Sequence, residues 1–119
     1  MAVAHHAAYI PWLEMGRTEL LRVSGVSYAD MEAAGVFLVV ARLDIRYKAP
    51  ARYDDELAIV TTLTGGGRAR LDHSYEVWRY AGPESGKVAL LATAESTLAC
   101  VDAQGKVRAL PEWLIPRAT

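Results

Sequence analysis

Tyr9-Ile10-Pro11-Trp12-Leu13-Glu14-Met15-Gly16-Arg17-Thr18-Glu19-Leu20-Leu21-Arg22, with Gly25 and then Gly35 behind it, is the stretch whose period decides the fold. Tyr9, Trp12, Leu13, Gly16 and Leu20 recur at helical spacing, and Leu21 widens the stripe. Pro11 falls in the first turn, where a missing N–H costs little. Glu14, Arg17, Thr18, Glu19 and Arg22 supply the polar side, and Gly25 ends the run. The pattern predicts a helix over the first fifteen or so residues after His6. Ser27 can cap a second, short helix over Tyr28 to Ala33, closed by Gly35.

Past Gly35 the period becomes two. Val39, Ala41, Leu43, Ile45 and Tyr47 alternate with Arg42, Asp44 and Arg46, which predicts a long strand with one covered face. Ala49-Pro50-Ala51 ends it, because proline cannot donate to a ladder, and Asp54-Asp55 marks a turn. A second strand is expected from Glu56 to Leu63, with Gly65-Gly66-Gly67 as the hairpin break. A third runs from about Arg68 to Tyr80, with Leu71, His73, Tyr75 and Val77 on one face. Ala81 to Gly86 turns the chain into a fourth, Val88 to Val101. Asp102 to Gly105 turns again, and Pro111 to Leu114 reads as a helical turn. One apolar helix followed by four antiparallel strands predicts a single α+β domain over residues 1–119. Four strands leave open edges, and pairing one with a second copy predicts a homodimer.

The 119 residues are 52% apolar, enough for a core without disulfides. Net charge is −1, so a nucleic-acid partner held by a basic surface is not expected. The single Cys100 cannot form an internal disulfide and reads as a small buried apolar residue. No Cys/His cluster suggests a metal site. There is neither a signal-peptide pattern nor an apolar run of membrane-spanning length, so the expected location is the cytoplasm, with no membrane partner.

Several motifs, in order, resemble a known family. His5-His6-Ala7-Ala8-Tyr9 with Trp12-Leu13-Glu14-Met15-Gly16-Arg17 is similar to the start of the core helix in the 4-hydroxybenzoyl-CoA thioesterase family of hotdog proteins. Gly35 to Val40 is similar to the segment that leads into that family's second strand. Arg46-Tyr47-Lys48-Ala49-Pro50-Ala51-Arg52-Tyr53-Asp54-Asp55 resembles its Y-x-x-P-A-x-x-x-D segment. Val101 to Lys106 with Leu110-Pro111-Glu112 resembles its ending. The resemblance implies a hotdog fold, an antiparallel sheet wrapped around one long helix, and hydrolysis of acyl- or aroyl-CoA thioesters without a cofactor. It puts the reacting carbonyl at the amino end of the core helix, where a free N–H and the helix dipole hold the oxyanion. Here that donor is the amide of His6 or a near neighbour, and the active site forms between two subunits. A dimer of dimers is a further expectation.

The sequence departs from that pattern at its start. The family's catalytic aspartate would lie seven residues before His6, upstream of Met1, as would the first strand. Either Met1 matches an internal methionine of a longer protein, or the aspartate mechanism is not open to the chain. In the second case a non-catalytic hotdog domain, which binds acyl thioesters or assembles as a subunit, is the alternative reading. Ala8 also stands where relatives carry Asn or Ser. Glu14, eight residues after His6, is the candidate replacement carboxylate, against an ion pair with Arg17. His6 and Glu14 are therefore the candidate catalytic residues. His5, Tyr9 and Trp12 are candidate substrate contacts, with Tyr9 and Trp12 near the acyl pocket. Lys48 and Arg52 by the Pro50 corner, and Arg68 and Arg70 by the glycine run, are candidates for the CoA phosphates. Gly65-Gly66-Gly67-Arg68 lacks the Lys-Ser/Thr ending of a nucleotide loop. His73 reads as a satisfied core histidine. Asp72 and Ser74 point away from it, so these three form no triad.

Overall fold

A computed structural model describes residues 9–23, 25, 27–52 and 55–114. Helix α1 covers Tyr9–Val23 and helix α2 covers Tyr28–Ala33. Four strands follow: β1 (Phe37–Tyr47), β2 (Glu56–Gly67), β3 (Arg70–Tyr80) and β4 (Lys87–Val101). A 3-10 turn spans Glu112–Leu114. The sheet is antiparallel throughout, in the order β1-β4-β3-β2, so β1 and β2 are its edges among the described residues. This is the expected α+β arrangement, with α1 laid against the inner face.

Local chemistry explains the ends of the short helix. Ser27 is extended, and its hydroxyl accepts from the Asp30 N–H at 3.1 Å. Gly35, with φ +77°, takes the left-handed conformation that lets the chain leave α2 for β1.

The inner face holds two apolar clusters separated by a polar layer. Near the amino end of α1, Tyr9, Leu13 and Ala51 pack with Tyr75, Val77, Leu91, Ala92 and Ala94. Near its carboxyl end, Met31 and Val36 pack with Leu71, Leu98, Cys100, Leu110 and Leu114. Between them lie Arg17, His73 and Ser96, all buried. The strand register explains the layering. Leu71 opposes Leu98, His73 opposes Ser96, Tyr75 opposes Ala94 and Val77 opposes Ala92. Successive inward pairs are thus apolar, polar, mixed and apolar. Cys100 is fully buried and unpaired with another cysteine, as expected.

Three expectations need correction. Arg17 does not belong to the polar side of α1; it is buried against the sheet. Gly65-Gly66-Gly67 is not the hairpin break. These glycines continue β2, paired with Asp72, Leu71 and Arg70, and the turn is Arg68-Ala69. Tertiary bonds hold that turn: the Ala69 carbonyl accepts from the Cys100 N–H, and the Arg68 carbonyl from the Leu110 N–H, each at 2.8 Å. Finally, β1 does not keep one covered face. An irregularity between Val40 and Arg42 shifts the register. Leu38 therefore packs on the Met31 cluster, while Leu43 and Ile45, of opposite parity, pack on the Tyr9 cluster. Val39 and Val40 are left about half-exposed on the edge strand.

Candidate functional site

The amino end of α1 rests against the corner that connects β1 to β2. Tyr9 is 2% exposed. Its ring lies 4.8 Å from Trp12 and 5.0 Å, edge to face, from Tyr47. Tyr9 starts the helix, Tyr47 ends β1, and Ala49 and Ala51 pack on the same cluster. Burial raises the Tyr9 phenol above its ordinary range, and Tyr47 and Asp55 push it the same way. It is a neutral wall, not a base.

Asp55 organises the corner. Its Oδ2 accepts from the Arg52 N–H at 2.8 Å, and its own N–H donates to the Arg52 carbonyl at 3.0 Å. Arg79, on β3, approaches Asp55 Oδ1 with Nε at 3.3 Å and donates to the Pro50 carbonyl at 3.2 Å. The Arg52 N–H bond, with support from Arg79, holds the Asp55 carboxyl below its usual range. A carboxylate so engaged is a clamp and a poor base. At the other end of the corner, the Lys48 and Ala49 N–H groups donate to the Leu91 carbonyl at 2.8 and 3.2 Å. Lys48 and Arg52 are both exposed along this rim. In the sequence Asp55 appeared as a turn marker and as the last residue of the Y-x-x-P-A-x-x-x-D segment, with no role attached. The position of Arg79, one residue from the end of β3, gives no hint that it reaches back to the corner.

The other candidates are not brought together here. Arg68 and Arg70 are at the opposite end of the sheet: Tyr47 pairs with Ala92 and Arg70 with Ala99, about 23 Å apart along β4. Arg70 pairs instead with Asp72, Nε to Oδ2 3.4 Å. Glu14 is exposed on the outer side of α1, and its carbonyl accepts from the Thr18 hydroxyl at 2.9 Å. It makes no ion pair with Arg17; the helix's ion pair among the described residues is Glu19 with Arg22. His5, His6 and Ala8 lie outside the described residues. Among the described residues, no group of three or more His, Cys, Asp or Glu could hold a metal, and no helix is long and apolar enough to cross a membrane.

His73 is buried as expected but not satisfied. Its Nδ1 has no hydrogen-bond partner among the described residues. Burial drives its pKa down to about 4, and the nearby Arg17 charge acts in the same direction. Asp72, on the outer face, opposes this weakly and bonds Thr97 at 3.0 Å.

Comparison with known proteins places this architecture. The sequence model of the thioesterase-like superfamily matches residues 1–117. YneP of Bacillus subtilis strain 168 is 31% identical over 118 residues, covering 95% of this chain and 81% of that protein. The acyl-CoA thioester hydrolase YbgC of Escherichia coli O157:H7 is 34% identical over 114 residues, with the same two coverages, 95% and 81%. Among solved structures, the DHNA-CoA thioesterase of Staphylococcus aureus superposes with a TM-score of 0.82 at 29% identity, over 96% of this chain and 73% of that one. The fold shared with these structural neighbours is the hotdog fold.

Proposed function

Because the chain belongs to the thioesterase-like superfamily, we propose that it hydrolyses acyl- or aroyl-CoA thioesters at the amino end of α1. The observation that carries this reading is the family match over residues 1–117. The geometry supports it: the helix that would polarise the carbonyl starts against a buried aromatic wall and a corner rimmed by two cations. In this reading the thioester carbonyl oxygen accepts from the amide of His6 or a near neighbour. The partial positive charge of the helix end adds to that bond as the oxyanion forms. Water adds to the carbonyl carbon, the C–S bond breaks, and the CoA thiolate leaves and takes up a proton. The products are the free acid and CoA.

Tyr9 and Trp12 border the acyl group, His5 and His6 flank the reacting carbonyl, and Lys48 and Arg52 meet CoA phosphates. Arg68 and Arg70, at the far end of the sheet, reach the same CoA only from a second subunit. Glu14 points away from its own core, so it acts on a thioester only across a subunit contact. The second copy pairs on the open β1 edge, where Val39 and Val40 are half-exposed. A homodimer, or a dimer of dimers, then forms the complete site in the cytoplasm.

The test is thiol release from short-acyl, long-acyl and aroyl-CoA, with the dimer confirmed by sedimentation. Saturable release of CoA from at least one class is expected. A homogeneous dimer that releases no thiol from any of them would overturn the assignment.

A further inference from the structure

The polar layer that divides the core has no role in the chemistry at the helix end, and its groups are unusual in kind. Arg17 is 8% exposed, His73 5%, Ser96 4% and Tyr75 2%. A guanidinium stays charged at any ordinary pH. Buried charges are normally paired, because stripping their water without a counter-charge costs several kcal/mol. Arg17 forms no salt bridge with any described carboxylate; the four found use Arg22, Arg42, Arg70 and Arg79. Its Nε–H also has no hydrogen-bond acceptor among the described residues.

The groups around it are of matching character. The Tyr75 hydroxyl, beside Arg17, bonds the Ser96 hydroxyl at 2.5 Å, and that pair keeps one hydroxyl hydrogen to donate elsewhere. The His73 ring is stacked at 6.2 Å on Tyr75, and its unpartnered Nδ1 donates in the tautomer that places hydrogen there. His73 and Ser96 are opposite each other on adjacent strands, with Tyr75 the next inward residue of β3. α1, β3 and β4 thus bring one fixed positive charge and a set of donors into one buried layer, where Arg17 donates to the Tyr75 hydroxyl. Apolar clusters lie above and below it. The acid felt by His73, Asp72, is on the opposite face and is taken by Arg70 and Thr97. Such a set suits an acceptor-only ligand of single negative charge, and apolar walls on both sides restrict it to a small one.

We propose that Arg17, His73, Tyr75 and Ser96 form a buried binding site for one small inorganic anion of the halide class, between α1 and the sheet. The ligand supplies a counter-charge that no described carboxylate gives Arg17. It ties the middle of the helix to β3 and β4, and so adds to stability by mass action.

The test is thermal unfolding of the full chain in sodium chloride or bromide against sodium gluconate at equal ionic strength. A rise in Tm that grows with the logarithm of halide concentration is expected, reaching about 5 °C at roughly ten times the dissociation constant. Arg17→Met should abolish the halide-specific rise. Tyr75→Phe, which keeps the ring, should displace the onset of the rise to higher halide. Crystals grown in bromide should show an anomalous peak within reach of the Arg17 guanidinium. Should Arg17→Met not fold, the bromide peak and the Tyr75→Phe titration decide the matter alone. Identical Tm in halide and gluconate, or density there without anomalous signal, would overturn the proposal in favour of ordered water.

Discussion

Replacing Gly16 by alanine sets two effects against each other, and the structure says which wins. In an isolated helix the change is favourable by about 1 kcal/mol, because glycine loses the most backbone entropy. Here Gly16 faces β2. A Cβ at this position would overlap the Thr61 Oγ1 and crowd Ile59 Cγ2 at 3.3 Å. Overpacking of this kind costs about 1–3 kcal/mol. The net expectation is a loss of about 1 kcal/mol. At about 2.1 cal/mol/K of unfolding entropy per residue, that lowers Tm by about 4 °C for a chain of this length. Thr61→Ala removes the overlapping atom together with a buried hydroxyl that has no partner among the described residues, so it should cost little by itself. In that background Gly16→Ala should become neutral or stabilising, by up to about 1 kcal/mol. Urea or thermal unfolding of the four proteins gives the coupling directly, expected at about 1–3 kcal/mol. If Gly16→Ala has the same effect with and without Thr61, or stabilises the wild type, the close helix–strand approach inferred here is wrong.

Three further outcomes follow from the described contacts. His73 binds a proton more weakly in the folded chain, at about 4, than in the unfolded one near 6.5. Its contribution is therefore whole above pH 6.5 and lost as pH falls from 6.5 towards 4, by up to about 3 kcal/mol. In halide-free buffer, His73→Leu should flatten that part of the stability–pH curve. Ser96→Ala strands the buried Tyr75 hydroxyl beside Arg17 and should lower unfolding free energy by about 1–3 kcal/mol, as read from urea melts. Asp55→Asn loosens the corner that carries Lys48 and Arg52, so the KM for acyl-CoA should rise while kcat changes little.

Much of this fold could be read from residue order because its signals are local. The apolar stripe of α1, the Ser27 cap, the alternation of β3 and the glycines past each helix all act over a few residues. What could not be read depends on partners distant in sequence. The three glycines of β2 look like a break by composition, yet their backbone groups simply complete a ladder with β3. The true turn, Arg68-Ala69, carries no turn residue and is held by Cys100 and Leu110 from elsewhere. Arg17 sits among polar neighbours on α1 and looks solvated, but the helix turns it onto His73 and Tyr75. The bulge after Val40 has no mark of its own, since it serves two clusters that neither side of β1 announces. At the site, sequence order and resemblance pointed to the corner and its two cations. The Asp55–Arg79 clamp that shapes it required β3 to be placed beside Pro50.

Whether the start of α1 polarises a thioester is decided most directly by deleting a backbone hydrogen rather than a side chain. His6→Pro removes the amide donor, and His6→Ala keeps it. Steady-state CoA release from the preferred thioester should fall about 10²–10³-fold in kcat for His6→Pro relative to His6→Ala, at similar KM. Equal kcat for the two variants would contradict oxyanion binding by that amide.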